Sequence, residues 1–278
     1  MSARIVAVAM CTAWLLPACE FVNVHQLVEG GLKAGAAQLP VGPKEEIAYG
    51  GAVAVQVVAR YGGLDKTPEL VEYVNLVGEA LAIHSPRPEL PYHFAILNTD
   101  EVNAVSAPGG YVFITRGALK ACRSEAELAG ILAHEIAHIA AGHAVKILQN
   151  LKSKQALADS TGWKSQAVFG QIVDGFLDDY MTKGLPQDDE FEADRIGTAI
   201  LARVGWAPDG LRSLLSRLAS GRTAASKDRF YGTHPDTGAR VSRIDALLPA
   251  YKDKDGVTLE LRFRDRTAVL SKRVGHAH

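Results

Sequence analysis

The stretch LAHEIAHIAAGH, residues 132 to 143, decides the reading of this chain. It sets three histidines and one glutamate inside an otherwise apolar run. Residues four apart on a helix lie about 400° round the axis and about 6 Å along it, so His134 and His138 project from one face as neighbours. Two imidazoles so placed can hold one Zn2+ at about 2.0–2.1 Å each. Glu135, about 100° further round, is poorly placed to ligate beside them but reaches a water on the metal, the position of a general base. The bland alternative is a core helix with satisfied histidines, and burying this set without a partner is costly. His143 lies five residues past His138, about 500° round, and is expected to face away from the pair as a hydrogen-bonding or surface residue.

The helix has a clear beginning. SEAE (124–127) is a capping box, with Ser124 at the N-cap and Glu127 three residues on, and the apolar run starts at Leu128. A catalytic zinc needs a third protein ligand and an open position. EFEAD (190–194) offers Glu190 and Asp194, four apart on a second expected helix (190–205). One of them can ligate while the other accepts the N–H of a ligand histidine. Asp188, Asp189 and Glu192 alongside read as a solvated acidic face.

Around these two helices the pattern predicts an α+β domain that is mainly helical, with a small mixed or antiparallel sheet. TPELVEYVNLVGEALAIHS (67–85) reads as a helix capped by Thr67, with Leu70, Val74, Val77 and Leu81 on one face. YHFAILNTDEVNAVSAPGGYVFIT (92–115) reads as short strands with at least one hairpin turned at APGG (107–110). Residues 144–189 look helical with a break near Thr161–Gly162, and a further helix follows Pro208. Residues 221–240 form a polar loop into a short final helix. GVTLELRFRD (256–265) suits either a strand or a helix capped by Thr258.

Hydrophobic residues make up 47% of the 278 and charged ones 22%, enough for a sizeable core. A formal net charge of −1 gives no reason to expect a nucleic-acid partner. The N-terminus, MSARIVAVAMCTAWLLPACEF, pairs Arg4 with an apolar run from Ile5 to Ala18, the form of an export signal. LPAC (16–19) resembles a bacterial lipobox, which implies cleavage before Cys19 and lipid on its thiol; plain secretion is the alternative. Residues 1–18 are therefore expected to be a signal, 19–45 a tether, 46–250 the domain, and 251–278 an extension. Cys122 is then the one remaining cysteine, a small packed residue.

HEIAH joined to EFEAD resembles the HtpX/BepA/LoiP-like zinc metallopeptidases, gluzincins related to the CAAX prenyl endopeptidases. YGGLDKTPELVEYVN (61–75), VNAVSAPGGYVFITRGAL (102–119) and GTHPDTGARVSRI (232–244) extend the resemblance over about residues 45–250. It implies His134, His138 and Glu190 as ligands of one Zn2+, Glu135 as base and Asp194 behind the ligands. It implies that the strand at Asn103, Ala104 and Val105 pairs with an extended substrate, and that APGG gives the cleft wall freedom to move. His234, Tyr231 and Arg240, around THP, are the candidates to stabilise the oxyanion. His234 is also the possible fourth ligand that plugs the site, and Arg240 is equally read as a structural ion-pair residue. The chain looks most like the small exported lipoprotein members, with no membrane-spanning helix after the signal and no repeat domain. The expected function is an envelope endopeptidase for misfolded or stalled periplasmic and outer-membrane proteins, held at the membrane (outer rather than inner) by its lipid. The alternative is a latent, zinc-bound periplasmic chaperone or adaptor.

Overall fold

The computed structural model describes residues 39–158, 166–220, 234, 237–254 and 256–272. The expected signal, Cys19, the break near Thr161–Gly162 and Tyr231 lie outside the described residues.

A helix that the sequence reading passed over, α1 (Pro43–Arg60), comes first. Proline in its first turn and Glu45 and Glu46 beside it suit a helix start. Tyr49, Val53, Ala54 and Val57 form its buried stripe. α2 (Pro68–Ala82) buries Leu70, Val74, Val77 and Leu81 as their spacing requires. Thr67 does not cap it. Instead Asp65 Oδ1 accepts the Thr67 backbone N–H at 2.9 Å.

The sheet has three strands, β1 (His93–Leu97), β2 (Ala104–Ala107) and β3 (Tyr111–Thr115), in the order β1-β3-β2. β2 and β3 are the antiparallel hairpin, and β1 lies parallel to β3. The sheet is therefore mixed, and β2 is an edge strand. Val112 and Ile114 pack into the core around α2, while Phe113 packs on the other face against α1. Burial on both faces explains why YVFIT is a continuous apolar run rather than an alternating one. The APGG corner is fixed, contrary to expectation. Pro108, Gly109 and Gly110 are all buried, and Gly109 N–H donates to Glu46 Oε1 at 3.2 Å. Gly109 and Gly110 have φ of 75° and 103°, and a Cβ on Gly110 would stand 2.4 Å from Pro91 O.

After α3 (Arg116–Ala121) comes the central helix α4 (Glu125–Ala140), in which every residue from Glu125 to Ile139 is buried. Ser124 Oγ accepts the Glu127 N–H at 3.2 Å. The other half of the expected capping box is displaced by one residue: Glu127 takes the Arg123 N–H at 2.7 Å and pairs with Arg217. The run Glu125–Ala156 would suit a membrane span by length and composition, yet most of it is buried within the protein. A helix apolar on all sides belongs at the centre of a core.

α5 (His143–Ala158), α6 (Gln166–Asp178) and a π-helical turn (Asp179–Lys183) build a second core with α1 and the far face of the sheet. α7 (Gln187–Val204) ends at Gly205, whose φ is 103°. α8 (Gly210–Ser220) packs on α4, and α9 (Thr237–Leu247) packs on α8 and α7. α9 is not the last helix. Val257 forms a lone bridge to Trp206, and α10 (Glu260–Thr267) and α11 (Val269–Lys272) follow. Thr258 does not cap α10; Leu259 holds that position with φ of 55°. Phe263 enters the main core and Arg262 reaches Glu125 at the start of α4.

Candidate metal centre

His134 and His138, one turn apart on α4, bring their Nε2 atoms to 3.0 Å. Glu190, in the first turn of α7, stands 3.4 Å from each of them through its two oxygens. His234 adds Nδ1, 3.4 Å from His134 Nε2 and 3.0 Å from Glu190 Oε1. A fixed ion with bonds of about 2.0–2.1 Å and tetrahedral geometry sets its ligand atoms about 3.3 Å apart. The donor spacings of 3.0–3.4 Å are close to that value, with Glu190 meeting the two histidines through different oxygens. α7 reaches α4 this closely because position 197 carries no side chain: a Cβ on Gly197 would lie 3.2 Å from His134 N.

The surrounding acceptors orient the ring nitrogens. Asp194 Oδ1 lies 3.0 Å from His134 Nδ1. A carboxylate only accepts, so Nδ1 carries the proton and Nε2 is free to ligate. Ala104 O lies 3.3 Å from His234 Nε2. His234 thus meets acceptors at both ring nitrogens, Ala104 O at Nε2 and the Glu190 oxygens at Nδ1, so Nδ1 would offer a lone pair only to a cation standing between it and Glu190. The two histidines of α4 sit in opposite electrostatic surroundings. Burial and Arg240 push the His134 pKa down, but Asp194 and Glu190 outweigh them and hold it at about 9. Burial and then the adjacent His134 push His138 down to about 3.

Behind the donors, Arg240 is fully buried. Its Nε and Nη2 grip Asp194 at 2.9 and 2.7 Å, and Nη1 lies 3.0 Å from Glu190 Oε2. Burial alone would raise both acids; Arg240 holds Asp194 at about 2, and His234 with Arg240 holds Glu190 well below the usual carboxylate range. Arg240 therefore makes the ion pairs that one of its two sequence readings expects, and its Nη2 also comes within 3.2 Å of His134 Nε2. Glu135, Glu190 and Asp194 against Arg240 leave a formal charge of −2 in the buried site, which a divalent cation balances.

On the cleft side, both Glu135 oxygens are buried without a hydrogen bond, and His234 Nε2 lies 3.4 Å from Oε1. The Ser106 and Tyr180 hydroxyls are also buried and face each other. Tyr180 comes from the π-helical turn and lies beside Ser106, Glu135 and Glu190; burial, then Glu135, push its phenol well above the ordinary range. Buried polar atoms without hydrogen bonds are uncommon, and the two Glu135 oxygens fit a catalytic role. No local sequence signal pointed to Tyr180. Asn103 is fully buried, gives its amide to Tyr61 at 2.8 Å and accepts the Ala104 N–H at 2.9 Å, so it anchors the start of β2 rather than offering an edge. Ala104 and Val105 lie in β2 itself. His143 is a hydrogen-bonding residue, as one of its two sequence readings has it, but it does not face away from the pair. It is fully buried, and its Nδ1 stands 2.8 Å from His138 Nδ1. α4 ends at Ala140 and Gly142, with φ of 72°, turns the chain, so helical counting does not extend to His143. Cys122 is buried as a free thiol.

Comparison with known proteins places this geometry. The chain is 30% identical over 196 residues to the beta-barrel assembly-enhancing protease of Yersinia pestis, covering 63% of this chain and 38% of that one. It is 27% identical over 187 residues to the protein of the same name in Escherichia coli (strain K12), with the same coverage. It is 26% identical over 197 residues to the mitochondrial metalloendopeptidase OMA1 of Schizosaccharomyces pombe, covering 70% of this chain and 58% of that one. The chain thus spans less than two thirds of each of these relatives. The model of Peptidase family M48 matches residues 68–248. That match runs from the first residue of α2 past the end of α9 and takes in all four converging donors, and the chain belongs to peptidase family M48.

Proposed function

We propose that this chain is a zinc-dependent endopeptidase of the bacterial cell envelope that cleaves misfolded or stalled periplasmic and outer-membrane proteins. The observation that carries the reading is the buried set His134, His138, Glu190 and His234, spaced for a tetrahedral ion, with the unpartnered Glu135 beside it. When bound, zinc supplies an acidified water and a polarised peptide carbonyl. Glu135 takes the proton of the attacking water and returns it to the leaving amine. β2, as an edge strand, pairs backbone to backbone with an extended segment, which suits unfolded substrates of varied sequence. The Tyr180 hydroxyl donates to the developing oxyanion. Tyr180→Phe is expected to lower kcat by about 10²-fold with little change in KM, as for loss of one such donor; an unchanged kcat removes Tyr180 from this role.

His234 holds the site closed. Its Nδ1 takes the fourth donor position, and its Nε2–H occupies Ala104 O, the carbonyl a paired substrate would use. Substrate entry requires it to leave both. If the closed form makes up about 90% of the population, His234→Ala raises activity about tenfold. Equal activity in the two proteins, with equal metal coordination, removes the plug. The same contacts favour the second reading, a latent chaperone or adaptor. Proteolysis of an unfolded outer-membrane protein decides between them: if neither wild type nor His234→Ala cleaves while both suppress aggregation, the second reading stands.

The envelope assignment rests on the signal-like residues 1–18 and the lipobox-like LPAC, together with relatives named for beta-barrel assembly. Cys19→Ser is expected to move the protein from the membrane fraction to the soluble periplasm; unchanged membrane association rules out a lipid on Cys19.

A further inference from the structure

We propose that His143 is a positioning residue for the ligand His138: a line of hydrogen bonds from Glu192 through His143, with Asp189 close beside it, sets which ring nitrogen of His138 is free to bind metal. The inference rests on the metallopeptidase reading and extends it to a residue outside the donor set.

The argument is one of counting protons. His138 Nδ1 and His143 Nδ1 are 2.8 Å apart, so one of them carries a hydrogen and the other a lone pair. The far nitrogen of His143 decides which. His143 Nε2 stands 3.2 Å from Glu192 Oε2 and 3.5 Å from Asp189 Oδ1. Carboxylates accept only, so Nε2 carries the hydrogen and neutral His143 presents a lone pair at Nδ1. The hydrogen between the rings therefore belongs to His138 Nδ1. This leaves His138 Nε2 as a lone pair, and Nε2 is the atom that meets His134 Nε2 at 3.0 Å and Glu190 Oε1 at 3.4 Å. His134 is oriented by a carboxylate directly, through Asp194. His138 is oriented by carboxylates one imidazole further away. Both sets of carboxylates come from α7, the helix that supplies Glu190, so a single helix would align a ligand of its own and the tautomers of the two histidines on α4. Asp189 and Glu192, read from sequence as a solvated acidic face, thereby acquire a role.

The test uses the full-length chain with zinc, read by chelator competition, and with Co2+, read by its visible absorption. The His138 ring is followed in 15N-histidine spectra of the zinc form. His143→Leu removes the acceptor and is expected to weaken zinc binding about 10–100-fold, the range for loss of such an outer hydrogen bond. It should also shift the Co2+ bands and abolish the hydrogen-bonded Nδ1–H signal of His138. His143→Asn sets an amide oxygen where Nδ1 stood and is expected to restore affinity to within about tenfold of wild type. The surface pair Asp189→Asn with Glu192→Gln leaves the core intact and is expected to fall between wild type and His143→Leu; it carries the test alone should the leucine variant not fold. Wild-type affinity and spectra in His143→Leu, or in the surface pair where that carries the test, overturn the proposal. So does an asparagine variant as weak as leucine, which would mean that His143 only fills space. A second zinc ion per chain that disappears in His143→Leu also overturns it, because His143, Asp189 and Glu192 would then be a metal site in their own right. A wild-type chain that binds no zinc strikes instead at the metallopeptidase reading.

Discussion

Glu135→Gln is expected to lower turnover of an unfolded protein substrate by about 10²–10⁴-fold, the usual contribution of a general base, while one zinc ion per chain stays bound. The two halves of this expectation come from different features. Glu135 sits one residue past His134, off the axis on which the donors converge, and it is absent from the set of four. Glutamine matches it in size and removes only the ability to take a proton. Neither carboxylate oxygen is engaged in a hydrogen bond, so the change breaks no bond that holds the fold. Zinc content and melting temperature of the variant should therefore equal those of wild type, and kcat should collapse. Turnover equal to wild type would dispose of the mechanism. Loss of zinc with the activity would instead show that Glu135 is a ligand and that the assignment of Glu190 needs revision.

The parts of this site that were legible in the sequence are those that obey a local period. His134 and His138 share a face because helices repeat every 3.6 residues, and Glu190 and Asp194 do so for the same reason. Ser124 announces the start of α4 because capping is a contact within four residues. Which of Glu190 and Asp194 turns toward the metal could not be read from the residues, since it depends on the rotation of α7 against α4, set in part by the close approach at Gly197. The direction in which His143 faces was misread because counting at 100° per residue was carried past the end of the helix. Tyr180 left no trace: it is an ordinary aromatic in a helical segment, and only the π-helical turn brings its hydroxyl beside Glu135. α1 straddles the boundary set at residue 45 between tether and domain, and from Tyr49 to Val57 every fourth position buries a larger side chain. The freedom expected of APGG failed for a related reason. Glycine there serves close packing, with Glu46 bridging the turn to Arg87 at 2.9 Å, rather than motion.

The second large effect belongs to Arg240. Arg240→Met is expected to destabilise the protein by about 3–5 kcal/mol, the range for removing one partner of a buried ion pair. For a chain of this size that is a fall in Tm of about 10 °C. The guanidinium is fully buried and is shared between Asp194, through two hydrogen bonds, and Glu190, through Nη1 at 3.0 Å. Its loss leaves two buried carboxylates facing each other. Lysine should not rescue it, because one ammonium cannot span both acids as a planar fork does. The sign of the pH dependence follows from Asp194, whose carboxyl Arg240 holds at about 2 against an ordinary 3.8. A depressed acid stabilises the fold above its unfolded pKa, and that stabilisation is lost as pH falls through its folded pKa. The gap between wild type and Arg240→Met should therefore be full at neutral pH and narrow between about pH 4 and pH 2. Metal gives the sharper control. A bound divalent ion neutralises Glu190 from the other side, so the deficit in urea unfolding should be larger in the metal-free protein than in the zinc-loaded one. A metal-free variant within about 1 kcal/mol of wild type would mean that Asp194 and Glu190 find other cations. A deficit that zinc leaves unchanged would mean that Glu190 does not face the metal, and the donor set would lose its carboxylate.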